Sequence, residues 1–101
     1  SVVRTVVAIK VSRNDSPLKV QQLILDVLKI MPEVLEEPES QVFLKHIDSA
    51  LIEFEVRYYI NVELNSRVEV RSIVLFAIMA QFKAAGIKSP IPPIQIENDR
   101  K

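Results

Sequence analysis

The chain has 101 residues, 49% of them hydrophobic, which is enough material for one domain with its own core and without disulfide or metal support. Thirteen Lys and Arg residues balance thirteen Asp and Glu residues, so no basic field is available to hold a nucleic-acid backbone. The lack of cysteine excludes thiol catalysis and thiolate metal sites, and a single histidine excludes a His-based metal cage.

The sequence offers no segment for crossing a membrane. Its longest uninterrupted apolar run, residues 73–80, is far shorter than the roughly 20 residues that a membrane-spanning helix needs. The N-terminus lacks the basic and then apolar pattern of a signal peptide. We therefore expect these residues to be soluble. Because Ser1 leads directly into strand-like sequence with no initiator Met, we also expect a piece of a longer protein.

The first two predicted elements are a strand and an amphipathic helix. Residues 3–11 alternate between two faces, which is typical of a half-buried strand. Ser16 is a suitable N-cap and Pro17 suits the first helical position, so a helix is predicted from Pro17 to Ile30, before Pro32 blocks its extension. Its apolar residues recur at helical spacing and form one stripe: Val20, Leu23, Ile24, Val27, Leu28 and Met31.

An acidic loop and a hairpin follow. Residues 32–40 carry two prolines and four glutamates, which predicts an exposed loop held to the body by Val34 and Leu35. Strands are predicted at residues 41–47 and 50–60, with Asp48 and Ser49 in the turn between them. The second of these strands alternates most clearly, which predicts a long central strand with one packed face.

A second helix is predicted from Ser66 to Ala85. Ser66 and Glu69 form a capping box at its start, and Gly86, the only glycine, is placed to end it in the left-handed conformation. One stripe at helical spacing is predicted to face the sheet: Val70, Ile73, Val74, Ala77, Ile78 and Ala85.

The order strand, helix, strand, strand, helix, strand predicts a ferredoxin-like β-α-β-β-α-β fold of the α+β class. The last strand is the proline-stiffened tail at residues 91–97, and residues 98–101 are expected to be frayed. Right-handed crossovers lead to an antiparallel four-stranded sheet with two helices on one face, in one domain over residues 1–97. The fold alone does not give a function.

Few residues carry the pattern of a catalytic site. His46 near Asp48 resembles a general base with its orienting acid, but no Ser or Cys nucleophile is spaced to complete a triad. Glu53 and Glu55 lie about 7 Å apart on one strand face. Arg57 follows on that face, which favours a solvated or subunit-facing surface.

Ligand-binding motifs are lacking as well. The acidic loop does not have the Asp/Asn spacing and glycine of a calcium loop. One glycine in the chain excludes a glycine-rich phosphate loop, and the basic, glycine-containing motif of RNA-binding sheets is missing. We therefore predict no enzyme activity, no cofactor, no metal and no nucleic-acid partner.

Surplus apolar surface is the remaining signal. Two sets of residues exceed the needs of one core: Val68, Leu75 and Met79 on the outer side of the second helix, and Ile91, Ile94 and Ile96 in the tail. Subunit contacts explain both sets, since a proline-stiffened tail loses less entropy when it docks on a neighbour. The alternative is that the loop at residues 32–40 folds over the helix within one chain.

Four segments follow one another in a recognisable order: Pro17-Leu18-Lys19-Val20; Val34 to Glu39 leading into Gln41-Val42; Ser49 to Arg57; and Phe82-Lys83-Ala84-Ala85-Gly86-Ile87 before a proline-rich apolar end. With these segments the chain resembles the cytoplasmic C-terminal domain of the MscS-type, small-conductance mechanosensitive channels. The resemblance covers nearly all of residues 3–97. The sequence departs from the family pattern in the tail, at Ser89, Ile91 and Pro93.

The resemblance implies a homoheptamer. Transmembrane helices from an upstream region would line a pore opened by membrane tension, on whose cytoplasmic side this domain would form a hollow vestibule with side openings. The C-terminal ends would gather about the symmetry axis at its base. The chain would then scaffold subunits at the inner face of the cell membrane. Two alternatives remain: a free-standing ferredoxin-like regulatory module that binds a small ligand between subunits, and, more distantly, an enzyme using His46.

Overall fold

The computed structural model describes residues 1–88. Their elements are, in chain order, β1 (Val2–Ser12), α1 (Pro17–Ile30), β2 (Gln41–Ile47), β3 (Leu51–Asn61) and α2 (Arg67–Ala85). Every element predicted before the tail is present, and its ends differ from the prediction by at most one residue. The predicted fourth strand at residues 91–97 and the predicted frayed end at 98–101 lie outside the described residues.

The strands form a three-stranded antiparallel sheet in the order β1–β3–β2. β1 pairs with β3 along its whole length, from Val2 opposite Asn61 to Ser12 opposite Leu51. β2 pairs with the other edge of β3, and a bulge interrupts the ladder between Leu44 and His46. The prediction that residues 50–60 form a long central strand is confirmed.

Buried and half-buried side chains alternate along β3 and show which face of the sheet is covered. Its side chains at even positions from Ile52 to Ile60 are at most 1% exposed, whereas those at odd positions are half-buried. Because successive side chains of a strand point to opposite faces, one face packs under the helices while the other stays open. Each apolar side chain that this packing removes from water contributes about 1.5–3 kcal/mol.

α1 forms as its sequence predicts. The Ser16 hydroxyl accepts a hydrogen bond from the Lys19 N–H at 3.4 Å, and Pro17 occupies the start of the helix. The predicted stripe is confirmed, with these residues buried: Val20, Ile24, Val27, Leu28 and, just past the helix end, Met31. Leu23 is half-buried against the same core.

α2 also has the predicted ends. The Ser66 hydroxyl accepts from the Glu69 N–H at 3.3 Å, and the hydrogen bonds of residues 1–88 contain only this half of the predicted capping box. Gly86 ends the helix with φ +74°, the left-handed conformation that glycine adopts without strain. The N–H of Ile87 then donates to the Phe82 carbonyl at 2.9 Å and closes the last turn.

The buried stripe of α2 is narrower than predicted. Val70, Val74 and Ile78 are at most 1% exposed. Ile73 was predicted to face the sheet but is 42% exposed, so that prediction was wrong. The reason is the rotation of the helix: Leu75, on the other flank of the stripe, packs partly against the core instead.

The acidic loop packs beside α1 and not over α2. Val34 is 7% exposed, and the Leu35 N–H donates to the Tyr59 carbonyl at 2.9 Å, beyond the point where β2 pairs with β3. Loop and α1 residues, among them Leu25 and Lys29, line one shared cavity. The loop is therefore held to the body as predicted, and the alternative in which it covers α2 is wrong.

Candidate functional site

The outer side of α2 carries an apolar groove. Its volume is about 350 Å³, and it is lined by Val68, Arg71, Ser72, Leu75, Phe76 and Met79. Val68 is 78% exposed, Phe76 71% and Met79 64%. An apolar patch of this kind, rimmed by Arg71 and Ser72, is typical of a surface that contacts another protein.

Three of the six predicted contact residues fall among the described residues. Val68 and Met79 lie in the groove with most of their surface free. Leu75 lines the groove too, but it is half-buried and packs partly against the core, so it serves both surfaces. The three remaining residues, Ile91, Ile94 and Ile96, lie outside the described part of the chain.

Sequence reasoning missed Phe76, the only aromatic side chain in the groove. Phe76 lies eight residues after Val68 and three before Met79, which places all three on one helical face. The spacing that selected Val68 and Met79 therefore also selects Phe76. Aromatic and Met side chains are enriched in protein interfaces, so Phe76 joins Val68 and Met79 as a candidate contact residue.

The structure brings His46 and Asp48 together at the β2–β3 turn. His46 Nε2 lies 3.1 Å from Asp48 Oδ2, and the two side chains are 54% and 46% exposed. The other carboxylate oxygen, Oδ1, accepts the N–H groups of Ala50 at 2.8 Å and Leu51 at 3.0 Å. These bonds occupy the carboxylate in holding the turn, as the sequence predicted for Asp48.

The same bonds control the protonation of Asp48. The Ala50 and Leu51 N–H groups, followed by His46, lower the pKa of Asp48 from its ordinary value of 3.8 to about 2. Since the folded pKa lies below the unfolded one, this carboxylate stabilises the fold above pH 4 and loses that contribution as the pH falls from 4 to 2.

Replacing Asp48 by Asn is therefore expected to weaken the acid dependence of stability. The amide oxygen of Asn still accepts a hydrogen bond, but it does not titrate. The free energy of unfolding of the variant is therefore expected to fall less between pH 4 and pH 2 than that of the unmodified protein. Urea unfolding at each pH measures this. Asp26→Asn, at an exposed carboxylate of α1 that accepts from the Gln22 side-chain amide, is the matched control. An Asp48→Asn curve parallel to the unmodified one would contradict the assignment.

The open face of the sheet carries the predicted carboxylates. Arg57 donates to Glu55 at 2.7 Å, and its guanidinium lies 4.8 Å from the centre of the Phe43 ring. Glu53 lies opposite Lys10 in the register of β3 with β1. Glu55 is thus neutralised by an intramolecular partner, which fits a surface role better than an acid and base pair. Within residues 1–88, no three acidic or histidine side chains are grouped to hold a metal ion.

A known protein family matches nearly the whole described part of the chain. The family described as "Mechanosensitive ion channel MscS, C-terminal" matches residues 3–89, which include both helices, β2, β3, all of β1 but its first residue, and the groove. The chain belongs to this family. The resemblance drawn from the sequence is confirmed, and the family is a channel domain, not an enzyme class.

One curated relative extends the comparison to a whole protein. The chain is 30% identical over 96 residues to the Miniconductance mechanosensitive channel MscM of Escherichia coli (strain K12). The match covers 95% of this chain and 9% of the relative, so the chain spans less than a tenth of that channel's length. Among residues 1–88 of this MscS-family domain, no helix combines the length and apolar character needed to cross a membrane.

Proposed function

We propose that the chain is the cytoplasmic vestibule and oligomerisation domain of a mechanosensitive ion channel. It scaffolds subunits below a membrane pore that other parts of the protein supply. The MscS C-terminal match over residues 3–89 carries this proposal, and the relative named as a mechanosensitive channel supports it. Neither comparison supports the alternative of a free-standing module that binds a small ligand.

Within this proposal, the groove of α2 is a contact between copies of the chain. From Val68 to Met79 the groove runs roughly 17 Å along the helix at 1.5 Å per residue. A stable interface buries about 800 Å² per partner, more than one helix face of this length supplies. We therefore propose that the predicted tail residues Ile91, Ile94 and Ile96 add to the contact. The family resemblance supports a closed ring of seven subunits, in which two different surfaces of each copy meet.

The channel proposal is tested on the full-length protein. Reconstituted in liposomes and held under suction in a membrane patch, it is expected to show conductance steps whose frequency rises with tension. The full-length sequence is expected to contain apolar segments of roughly 20 residues outside this chain. Folded, oligomeric protein without tension-dependent conductance, or a full-length sequence without such segments, would contradict the proposal.

We also propose that residues 91–97 add a fourth strand to the sheet. The support is the edge of β1 that no strand among residues 1–88 covers, where the Ser12 N–H donates to the Lys88 carbonyl at 2.7 Å and brings the chain to the strand's end. Since hydrogen bonds of an antiparallel strand alternate between its two neighbours, the N–H groups of Val6, Ala8 and Lys10 point to the same edge as that of Ser12.

Amide hydrogen exchange tests this fourth strand. With a strand paired at the edge, the Val6, Ala8 and Lys10 amides are expected to exchange slowly, and removal of residues 89–101 is expected to make them exchange quickly. The amide of Val7, which points toward β3, is the control and is expected to stay protected in both forms. Fast exchange of the edge amides in the unshortened chain as well would contradict the four-stranded sheet.

A further inference from the structure

The chain leaves α2 at a corner where three segments meet. Gly86 turns the chain out of the helix in the left-handed conformation. Ile87, the next residue, is 9% exposed and belongs to the core. The chain is therefore anchored by a packed side chain immediately before Lys88.

Lys88 is held through both of its backbone groups by the loop between β1 and α1. Its carbonyl accepts from the Ser12 N–H at 2.7 Å, and its N–H donates to Asp15 Oδ2 at 3.2 Å. A residue bound at donor and acceptor has little freedom to turn. The direction of the backbone at Lys88 is consequently set by this loop.

The loop is itself braced against the rest of the sheet. The Asp15 N–H donates to the Ser12 carbonyl at 3.2 Å, which closes the loop on itself. The Arg13 N–H donates to the Ala50 carbonyl, and the Arg13 guanidinium donates to the Asp48 carbonyl, each at 3.3 Å. These bonds tie the loop to the β2–β3 turn, so Lys88 is fixed to two other segments of the domain.

We infer that residues 12–15 form a clamp that fixes the direction of the chain at Lys88, where it has left α2, with Asp15 as its positioning residue. This inference concerns the chain itself and holds whether or not the protein is a channel.

Asp15 is the residue of the clamp whose hydrogen bond to Lys88 a substitution can remove. The bond from Ser12 joins two backbone groups, whereas the bond to the Lys88 N–H uses a half-buried side chain. Asp15→Ala removes the acceptor, while Asp15→Asn keeps an oxygen in the same place. The two variants therefore separate the hydrogen bond from other effects of the substitution.

The experiment measures the distance between spin labels at Lys29→Cys on α1 and Lys88→Cys, which keeps the backbone groups that the clamp binds. It uses the full-length protein, with other reactive thiols replaced and labelled subunits diluted into unlabelled ones. Loss of one hydrogen bond is expected to raise the population of molecules with Lys88 released from the clamp about fivefold in Asp15→Ala, seen as a broader distance distribution. Asp15→Asn is expected to restore the narrow distribution.

The control is Asp26→Ala, which removes an exposed carboxylate of α1, and its distance distribution is expected to match that of the unmodified protein. Thermal unfolding is measured alongside, because a purely structural role would lower stability without changing the distances in the folded protein. An unchanged distribution in Asp15→Ala overturns the inference. So does a distribution in Asp15→Asn that is as broad as that of Asp15→Ala.

Discussion

Replacing Phe54 by alanine is expected to lower the free energy of unfolding by about 3–5 kcal/mol. Phe54 lies on the central strand, pairs with Ile9 and Leu44 on its two sides, and is 1% exposed. The substitution leaves a cavity under both helices that the packed core cannot refill. Because a domain of this size has a total stability of roughly 5–15 kcal/mol, a large part of it is lost. Urea unfolding followed by circular dichroism measures the change.

Phe76→Ala is the matched control for this substitution. It removes the same atoms from a side chain that is 71% exposed in the single chain, so the free energy of unfolding of the monomeric domain is expected to change by no more than about 0.5 kcal/mol. A loss comparable to that of Phe54→Ala would show that the outer side of α2 packs within its own domain. The groove would then not be available to another copy.

Replacing Phe76 and Met79 together by Glu is expected to break the assembly of the full-length protein into smaller species. Burying a carboxylate in an apolar contact costs several kcal/mol, and a ring presents the same contact at every subunit boundary. Leu75 is left unchanged because it packs partly against the core, and its replacement would weaken folding as well. Light scattering measures the mass of the assembly.

The control for the double variant is Leu18→Glu with Ile30→Glu on α1. These side chains are 77% and 79% exposed and lie outside the groove, so the charge change is the same while the mass is expected to stay unchanged. If Phe76→Glu with Met79→Glu also leaves the mass unchanged, the outer side of α2 is not a principal subunit contact.

The elements of this fold follow from local patterns that the sequence displays openly. The alternation of β3 predicted both its length and its covered face, and Ser16 with Pro17 predicted the start of α1. Asp48 was predicted in the turn because Asp accepts N–H groups of the following residues, as it does from Ala50 and Leu51. Each of these features depends on residues that are close in the chain.

The rotation of α2 does not follow from local pattern in the same way. Apolar residues lie on nearly all sides of α2, whereas α1 has one clear apolar stripe, so α2 lacks the contrast that orients a helix. Packing of Val70, Val74 and Ile78 on the sheet decides the orientation and turns Ile73 outward. The same contact half-buries Leu75, which helical periodicity had placed on the outer side of α2.

The bulge in β2 makes one edge strand of the sheet irregular, while the other edge strand, β1, is regular. Lys45 lies in the bulge, and an irregular strand margin with a lysine is a poor template for another strand. The β1 margin is a regular run of 11 residues with no interruption in its pairing to β3. The β2 edge is therefore a poorer template than the β1 edge for pairing with a strand of another copy. Among residues 1–88, the two edges of the sheet thus differ in their capacity to accept a further strand.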